Sequence, residues 1–590
     1  MKNPEVVFLV VLLCGHAGLQ PHRWGAAGET RRLTDFIGRS GRDKESSGQV
    51  FMSQDGSGEH LEERVRADQH GSDRPLVPRG SLPAQVHPGG VNGLHLSLAG
   101  AGQVRAMWMN PVPFTTPSDF KPQCVYTVLV ESRVTWAEKQ LENRQDGAPL
   151  IQSHDRSELT WLNTKPDSGI LSEVLTNAKT APSVAVGRAY TYTAGNFEAT
   201  LNEAVMKYEA GSVPVTINYR CGDGNYVMSP PYNFTVQSTT AQRRSNTEEL
   251  QKKHLINSFR NFSPEAPSTV SPGRTCAGEA CVAGGERVGK VALIADMGIE
   301  EDSLTVRSIQ RQVDQGELDF VLHAGDVSYA DNFGTTFGSG GGNINNSWVW
   351  VQYMTSLQDV TARVPYMTAP GNHEEQFDFA AYRNWLHMPG NESGSSSPYY
   401  YSFDYLGVHF VGISTEHDLR GNSSQHRWLE QDLRTADLNR AQVPWILVFG
   451  HRPLYCSSAI FWTTRCTKEA REYRSEIEEL FQRYHVDVYV CGHNHQYERS
   501  WPVSDGNVTA KNYNNPAATV HIVTGAAGNP EGNDPTYVPW FMVPWRADYS
   551  LTVKTGWTLM EVNSSALAFF YIHSADSSRV VDSFTITKTP

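Results

Sequence analysis

Two stretches decide how this chain is read: Trp445-Ile446-Leu447-Val448-Phe449-Gly450-His451-Arg452-Pro453 and Val486-Asp487-Val488-Tyr489-Val490-Cys491-Gly492-His493-Asn494-His495. Each is a short apolar run, rich in β-branched and aromatic residues, that stops at a glycine followed by histidine. Runs of that length and composition form buried strands. Working outward, the same grammar recurs upstream. Lys290–Ala295 runs into Asp296-Met297-Gly298, Phe320–Ala324 into Gly325-Asp326-Val327-Ser328-Tyr329, and Val364–Pro370 into Gly371-Asn372-His373-Glu374. Ligands of α/β sheets bind in the crevice beyond the carboxyl ends of the strands, so five such ends in succession point to one shared site.

Helical periodicity separates these strands. Val306, Ile309 and Val313 recur at spacings of three and four, and Tyr473, Ile477, Leu480, Phe481 and Tyr484 make one apolar stripe. Further strands are expected at Tyr400–Phe403 and Val408–Ser414. Strands alternating with helices predict a layered α/β domain, here over residues 288–590.

Taken singly, the polar residues at the strand ends have ordinary explanations. An Asp after a strand is commonly a turn former or helix cap, and a lone His a hydrogen-bonded core residue. Together they supply anionic oxygen, neutral carbonyl oxygen and imidazole nitrogen, the donors that hard and borderline metals take. His493 and His495 lie two apart, so an extended loop turns both toward one cleft.

These blocks resemble the five-block signature of the metallophosphoesterases, and specifically the purple acid phosphatases. Most metallophosphoesterases carry Asp-x-His in the first block; here the third place is Gly298, while the second block ends in Tyr329. The loss of that His with the gain of the Tyr is the paired change that marks the purple acid phosphatases. The resemblance implies an α/β fold, a layered β-sandwich flanked by helices, and a binuclear centre. It assigns Fe(III) to Asp296, Asp326, Tyr329 and His495. It gives Asn372, His451 and His493, with Asp326 bridging, to a second divalent ion, Zn, Mn or Fe. It implies hydrolysis of phosphate monoesters by a metal-bound hydroxide that persists in acid, since bound metal lowers the pKa of water. It places His373 against the phosphoryl oxygens or the leaving group. One departure concerns the general acid. Where plant members carry two adjacent His residues, this chain reads Ser457-Ser458-Ala459-Ile460-Phe461-Trp462. His417, in Ser414-Thr415-Glu416-His417-Asp418, is the remaining candidate, and Tyr497-Glu498-Arg499 is expected to buttress the last block.

The rest of the 590-residue chain needs a second domain. Short alternating runs at Leu94–Leu98, Val125–Val130, Val213–Tyr219 and Tyr232–Val236 predict an all-β sandwich over 83–237. Tyr219-Arg220-Cys221-Gly222-Asp223-Gly224 with Tyr232-Asn233-Phe234-Thr235 is similar to the last strands of the family's fibronectin type III-like domain. Residues 1–18 read as a signal peptide, with Lys2, an apolar run Val6–Cys14 and a small-x-small site. Residues 19–82 lack apolar periodicity and read as a disordered or pro-segment, and 238–287 as a linker or insertion.

Sequons at Asn233, Asn261, Asn345, Asn391, Asn422, Asn507 and Asn563 agree with export. So do cysteines that pair as Cys276 with Cys281 and Cys456 with Cys466, with Cys124 and Cys221 able to join across the N-terminal domain. Cys491 is left over. The expected location is outside the cell or in an acidic secretory lumen. A formal net charge of -13 argues against a nucleic-acid binder, and no later run is apolar enough to span a membrane. The expected partners are small phosphorylated substrates; oligomeric state stays open. A phosphodiesterase or nucleotide pyrophosphatase using the same site, or a secreted glycoprotein that has lost catalysis, are the competing readings.

Overall fold

Along Trp445–Phe449, side chains point alternately into two different cores. Trp445, Leu447 and Phe449 join one, Ile446 and Val448 the other. The run is continuously apolar because both faces of this strand are covered. The computed structural model in which this is seen describes residues 91–110, 120–130, 182–194, 197–209, 214–223, 227–237, 288–299, 304–331, 347–458, 465–534, 536–550 and 555–589. The expected signal, pro-segment and linker, and Cys276 with Cys281, fall outside the described residues. All those described belong to one compact unit, Gly80–Pro590.

The N-terminal part is all-β. One sheet runs in the order β1 (Asn92–Leu98), β2 (Gln103–Asn110), β6 (Phe197–Lys207), β5 (Arg188–Ala194). The other runs β4 (Ser183–Val186), β3 (Gln123–Val130), β7 (Val215–Asp223), β8 (Val227–Met228), with β9 (Tyr232–Val236) also on β7. Cys124 and Cys221 face each other across β3 and β7 and are disulfide-bonded.

The C-terminal part has two mixed sheets. The first orders β12 (Tyr366–Ala369), β11 (Phe320–Ala324), β10 (Gly289–Ile294), β22 (Gly556–Val562), β23 (Ala566–His573) and β24 (Val580–Thr587). The second orders β13 (Tyr401–Tyr405), β14 (Val408–Gly412), β15 (Trp445–Phe449), β16 (Val488–Cys491), β20 (Val520–Thr524), β17 (Tyr497–Ser500) and β21 (Arg546–Ser550); β18 (Val503–Ser504) and β19 (Asn507–Val508) form a small hairpin. Side chains of both sheets share the larger core. The second sheet's outer face, with Tyr489 and Cys491, packs on α4 (Ser424–Leu438) and α5 (Arg465–Arg483). The strands carrying the sequence motifs, β10 with β11 and β12, and β15 with β16, are parallel, so their carboxyl ends share one edge of each sheet.

Against the first sheet lie α1 (Leu304–Asp314) and α2 (Ser347–Thr361); α3 (Gln376–Trp385) follows the third block. The alternation read at Leu94–Leu98 predicts a half-buried strand. Instead all of β1 is buried, because α2 covers the face its own sheet leaves open. Leu94 N–H donates to Gln358 Oε1 and Thr361 Oγ1 donates to Leu94 O.

Candidate metal centre

Four of the motif glycines, Gly298, Gly325, Gly371 and Gly492, lie where another block's candidate ligand crosses them. A Cβ on Gly371 would stand 2.2 Å from Asp326 Oδ1, and one on Gly492 2.1 Å from Asp296 Oδ2. The glycines let a carboxylate from the neighbouring strand, at Gly371, and one from the other sheet, at Gly492, pass directly over the backbone. Gly298 has a related reason. Its Cβ would meet the Tyr329 ring at 3.2 Å, so the phenol packs where a larger first-block side chain would start.

The seven residues expected to bind metal come together as two adjoining groups. In one, the Tyr329 hydroxyl is 3.3 Å from Asp296 Oδ1 and 3.0 Å from His495 Nε2, with His495 Nε2 to Asp296 Oδ1 at 3.5 Å. In the other, His451 Nε2 lies 3.0 Å from Asp326 Oδ2, 3.2 Å from Asn372 Oδ1 and 3.3 Å from His493 Nδ1. The His493 main-chain N–H donates to Asp296, joining the two groups.

The charge balance fits cations. Asp296, Asp326 and Glu374 are buried together, and among the described residues the ion-pair partners of Asp296 and Asp326 are histidines alone. Burial first, then Asp296 and Asp326, hold the Tyr329 phenol well above its ordinary range. Burial and Asp326 push Glu374 up to about 8. Burial opposes a proton on His451, but Asp326 outweighs it and raises the ring to about 9. His495 likewise reaches about 9, burial being overcome by Asp296. Buried carboxylates paired with no Lys or Arg among the described residues, with N and O donors converging on them, are what a pair of hard or borderline cations would neutralise. Asp326, His451 and His493 alone offer three ligand atoms within 4.8 Å of one another.

Around the groups stand residues that the motif reading did not assign. Asp331 takes a hydrogen bond from His373 Nδ1 at 2.8 Å, which leaves Nε2 facing Asp326 Oδ2 at 3.8 Å and Glu531 Oε1 at 3.7 Å. Burial disfavours charge on His373, but Asp326 and Asp331 prevail and raise it to about 10. Glu374 accepts main-chain N–H bonds from Asp326, Val327 and Gly371, at 3.0, 2.9 and 2.8 Å, which pins the second block to the third. Asp331 and Glu374 were within sight of the motifs, five residues after Asp326 and at the end of the third block. Glu531, in Asn529-Pro530-Glu531, lies six residues beyond the Gly525 that follows β20, farther along its loop than any motif residue stands from its strand.

His417 lies elsewhere. Its Nδ1 is 2.7 Å from Ser414 Oγ, and its ring stacks on Tyr399 at 4.1 Å and against Phe379 at 4.7 Å. Its neighbour Glu416 turns instead to Arg452. Glu498 accepts from Ser457 N and Oγ, and Arg499 binds Asp582, contacts that brace the strand after the fifth block. Cys456 and Cys466 are bonded, and Cys491 is buried and free.

With this geometry in place, comparison with known proteins defines a class. Residues 289–497 match the family model described as calcineurin-like phosphoesterase, and 518–583 that described as iron/zinc purple acid phosphatase-like protein C. The chain is 33% identical to acid phosphatase type 7 of Homo sapiens over 320 residues, 51% of this chain and 67% of that one. It is 29% identical to a nucleotide pyrophosphatase/phosphodiesterase of Hordeum vulgare over 289 residues, 46% of this chain and 73% of that one. The fold is shared with a purple acid phosphatase from yellow lupin (Lupinus luteus) seeds, with a TM-score of 0.57 at 18% identity, covering 85% of this chain and 75% of that one. The chain belongs to the purple acid phosphatases, a family of phosphoester hydrolases.

Proposed function

We propose that the protein is an acid phosphatase that hydrolyses phosphate monoesters at a binuclear centre. Asp296, Tyr329 and His495 would hold Fe(III), Asn372, His451 and His493 a divalent Zn, Mn or Fe, and Asp326 would serve both. The observation that carries this reading is the division of seven side chains into two groups, the phenol in one and the amide in the other. A phenol that burial and the neighbouring carboxylates keep protonated suits a strongly acidic trivalent ion, while carbonyl oxygen and imidazole suit the divalent one. When bound, the ions would supply an activated water and neutralise phosphoryl charge, a trivalent ion extending that into acid.

The chain's own part is to bind, orient and protonate. Asp331 accepts a hydrogen bond from His373 Nδ1–H, so Nε2–H is free to turn toward a phosphoryl or leaving-group oxygen. The Tyr329 ring, 4.2 Å away centroid to centroid, limits how that imidazole can swing. Glu374 keeps Asp326 and Asn372 in one frame through their loops. His417, held in its aromatic stack, takes no part. Secretion, or residence in an acidic secretory lumen, is supported by the disulfides and by exposed sequon residues Asn233, Asn391, Asn422 and Asn507.

A second reading, phosphodiester or pyrophosphate hydrolysis at the same centre, is favoured by the similarity to the barley protein so named. Assaying 4-nitrophenyl phosphate and bis(4-nitrophenyl) phosphate at pH 4–8, with metal analysis of the same preparation, separates them. The monoester should be at least about tenfold the better substrate, at acid pH, with two ions per chain. A reversed preference selects the second reading, and a protein inactive on both overturns each.

A further inference from the structure

An imidazole gives one ring nitrogen to a metal and keeps its proton on the other, and the acceptor facing that outer nitrogen decides which is which. For His451 the outer Nδ1 lies 3.1 Å from Ala324 O, and for His495 the outer Nδ1 lies 2.8 Å from Gly532 O. Both acceptors are main-chain carbonyls. His493 is built differently. Its Nδ1 faces His451 Nε2 at 3.3 Å, so Nε2 is the outer nitrogen, and that atom meets two side chains: Arg452 Nη1 at 3.1 Å and Glu469 Oε2 at 3.6 Å.

The two side chains ask opposite things of the ring. A guanidinium only donates, so Arg452 alone would draw the lone pair to Nε2 and place the proton on Nδ1, facing the candidate ligands. A carboxylate only accepts, and Glu469 would hold the proton on Nε2. Arg452 is restrained on its far side, its Nε and Nη2 both bonded to Glu416 at 2.9–3.0 Å. Glu469 is the fifth residue of α5, three residues after Cys466, whose disulfide to Cys456 ties that helix to the segment following His451. The helix start is thus anchored beside the same block that supplies His451.

We infer that Glu469 is a positioning residue for the second ion: it accepts the Nε2–H of His493 and so turns the Nδ1 lone pair toward Asp326, Asn372 and His451. This rests on the binuclear reading above. Unlike the carbonyls behind His451 and His495, it can be removed by substitution.

The test is calorimetric titration of metal-stripped wild type, Glu469→Ala and Glu469→Gln with Mn2+ after the iron site is refilled, alongside the thermal midpoint of each metal-free protein. Wild type should bind one Mn2+ per chain. Glu469→Ala should bind it 10–100-fold more weakly, with an unchanged iron content and thermal midpoint. Glu469→Gln, whose amide oxygen still accepts, should recover most of the loss. Wild-type affinity in Glu469→Ala, or equal loss in both variants, overturns the inference while leaving the centre intact. A wild type that binds no Mn2+ beside its iron overturns the binuclear reading and this inference together.

Discussion

Asp296, Asp326, Tyr329 and His493 all have left-handed backbone, with φ of 56°, 52°, 54° and 66°. Non-glycine residues there cost about 1–3 kcal/mol each and persist only where surrounding structure compels them. Four of the seven candidate ligands in that region mark a site for which the chain gives up stability. The residue types, Asp, Tyr, Asn and His after strand–Gly, were readable because chemistry limits which side chains can do this work. The backbone strain was not, since no residue type announces it outside glycine. Asn372 is where the residue scale is most open to test, its amide oxygen 3.2 Å from His451 Nε2. Asn372→Ala should weaken the second ion and lower kcat on a phosphomonoester about 10–100-fold, with KM changed less. Steady-state kinetics at fixed metal concentration check this, and unchanged turnover would remove Asn372 from the centre.

At the scale of elements, the strands that feed the site were legible because burial on both faces forces continuous apolar runs. β15 fell where expected, Trp445–Phe449, and β9 at Tyr232–Val236. Helix α2 is not legible in the sequence. Trp348-Val349-Trp350-Val351 has a strand-like composition, yet it lies in a helix that packs on β1 and α1. The C-terminal strands β22 to β24 end in no motif, so nothing in the sequence ties them to the site. The β13–β14 hairpin carries its own pH sensor. His409 Nδ1 faces Asp404 at 2.6 Å and Nε2 faces Asp432, on α4, at 2.9 Å. Burial lowers the ring's pKa, but the two carboxylates outweigh it and raise it to about 9. A folded pKa above the unfolded value near 6.5 stabilises the fold fully below about 6.5, and that stability is lost as pH climbs toward 9. The loss should be on the order of 1–3 kcal/mol. Denaturant unfolding between pH 6 and 9.5 should show a steeper decline for wild type than for His409→Gln; parallel curves would contradict it.

At the scale of the molecule, both modules could be seen in the sequence but their junction could not. The N-terminal sandwich is seated through polar contacts made by residues with no motif. Tyr219 OH donates to Ala362 O at 2.7 Å, Tyr190 OH to Asn384 O at 2.7 Å, and Glu203 meets Arg105 and His387. In Glu203, burial alone would raise the carboxyl, but His387 and the two arginines Arg105 and Arg188 bring it down to about 2. Such pairings depend on which surfaces meet, and that is fixed only in three dimensions. The account as a whole depends on the space vacated at Gly298 and filled by Tyr329, which places a phenol oxygen between Asp296 and His495. The visible absorption spectrum of the purified, iron-loaded protein tests that most directly. Wild type should be purple from phenolate-to-iron charge transfer, and Tyr329→Phe, with its iron retained, should be colourless. A colourless wild type with full iron content, or a variant as purple as wild type, would contradict it.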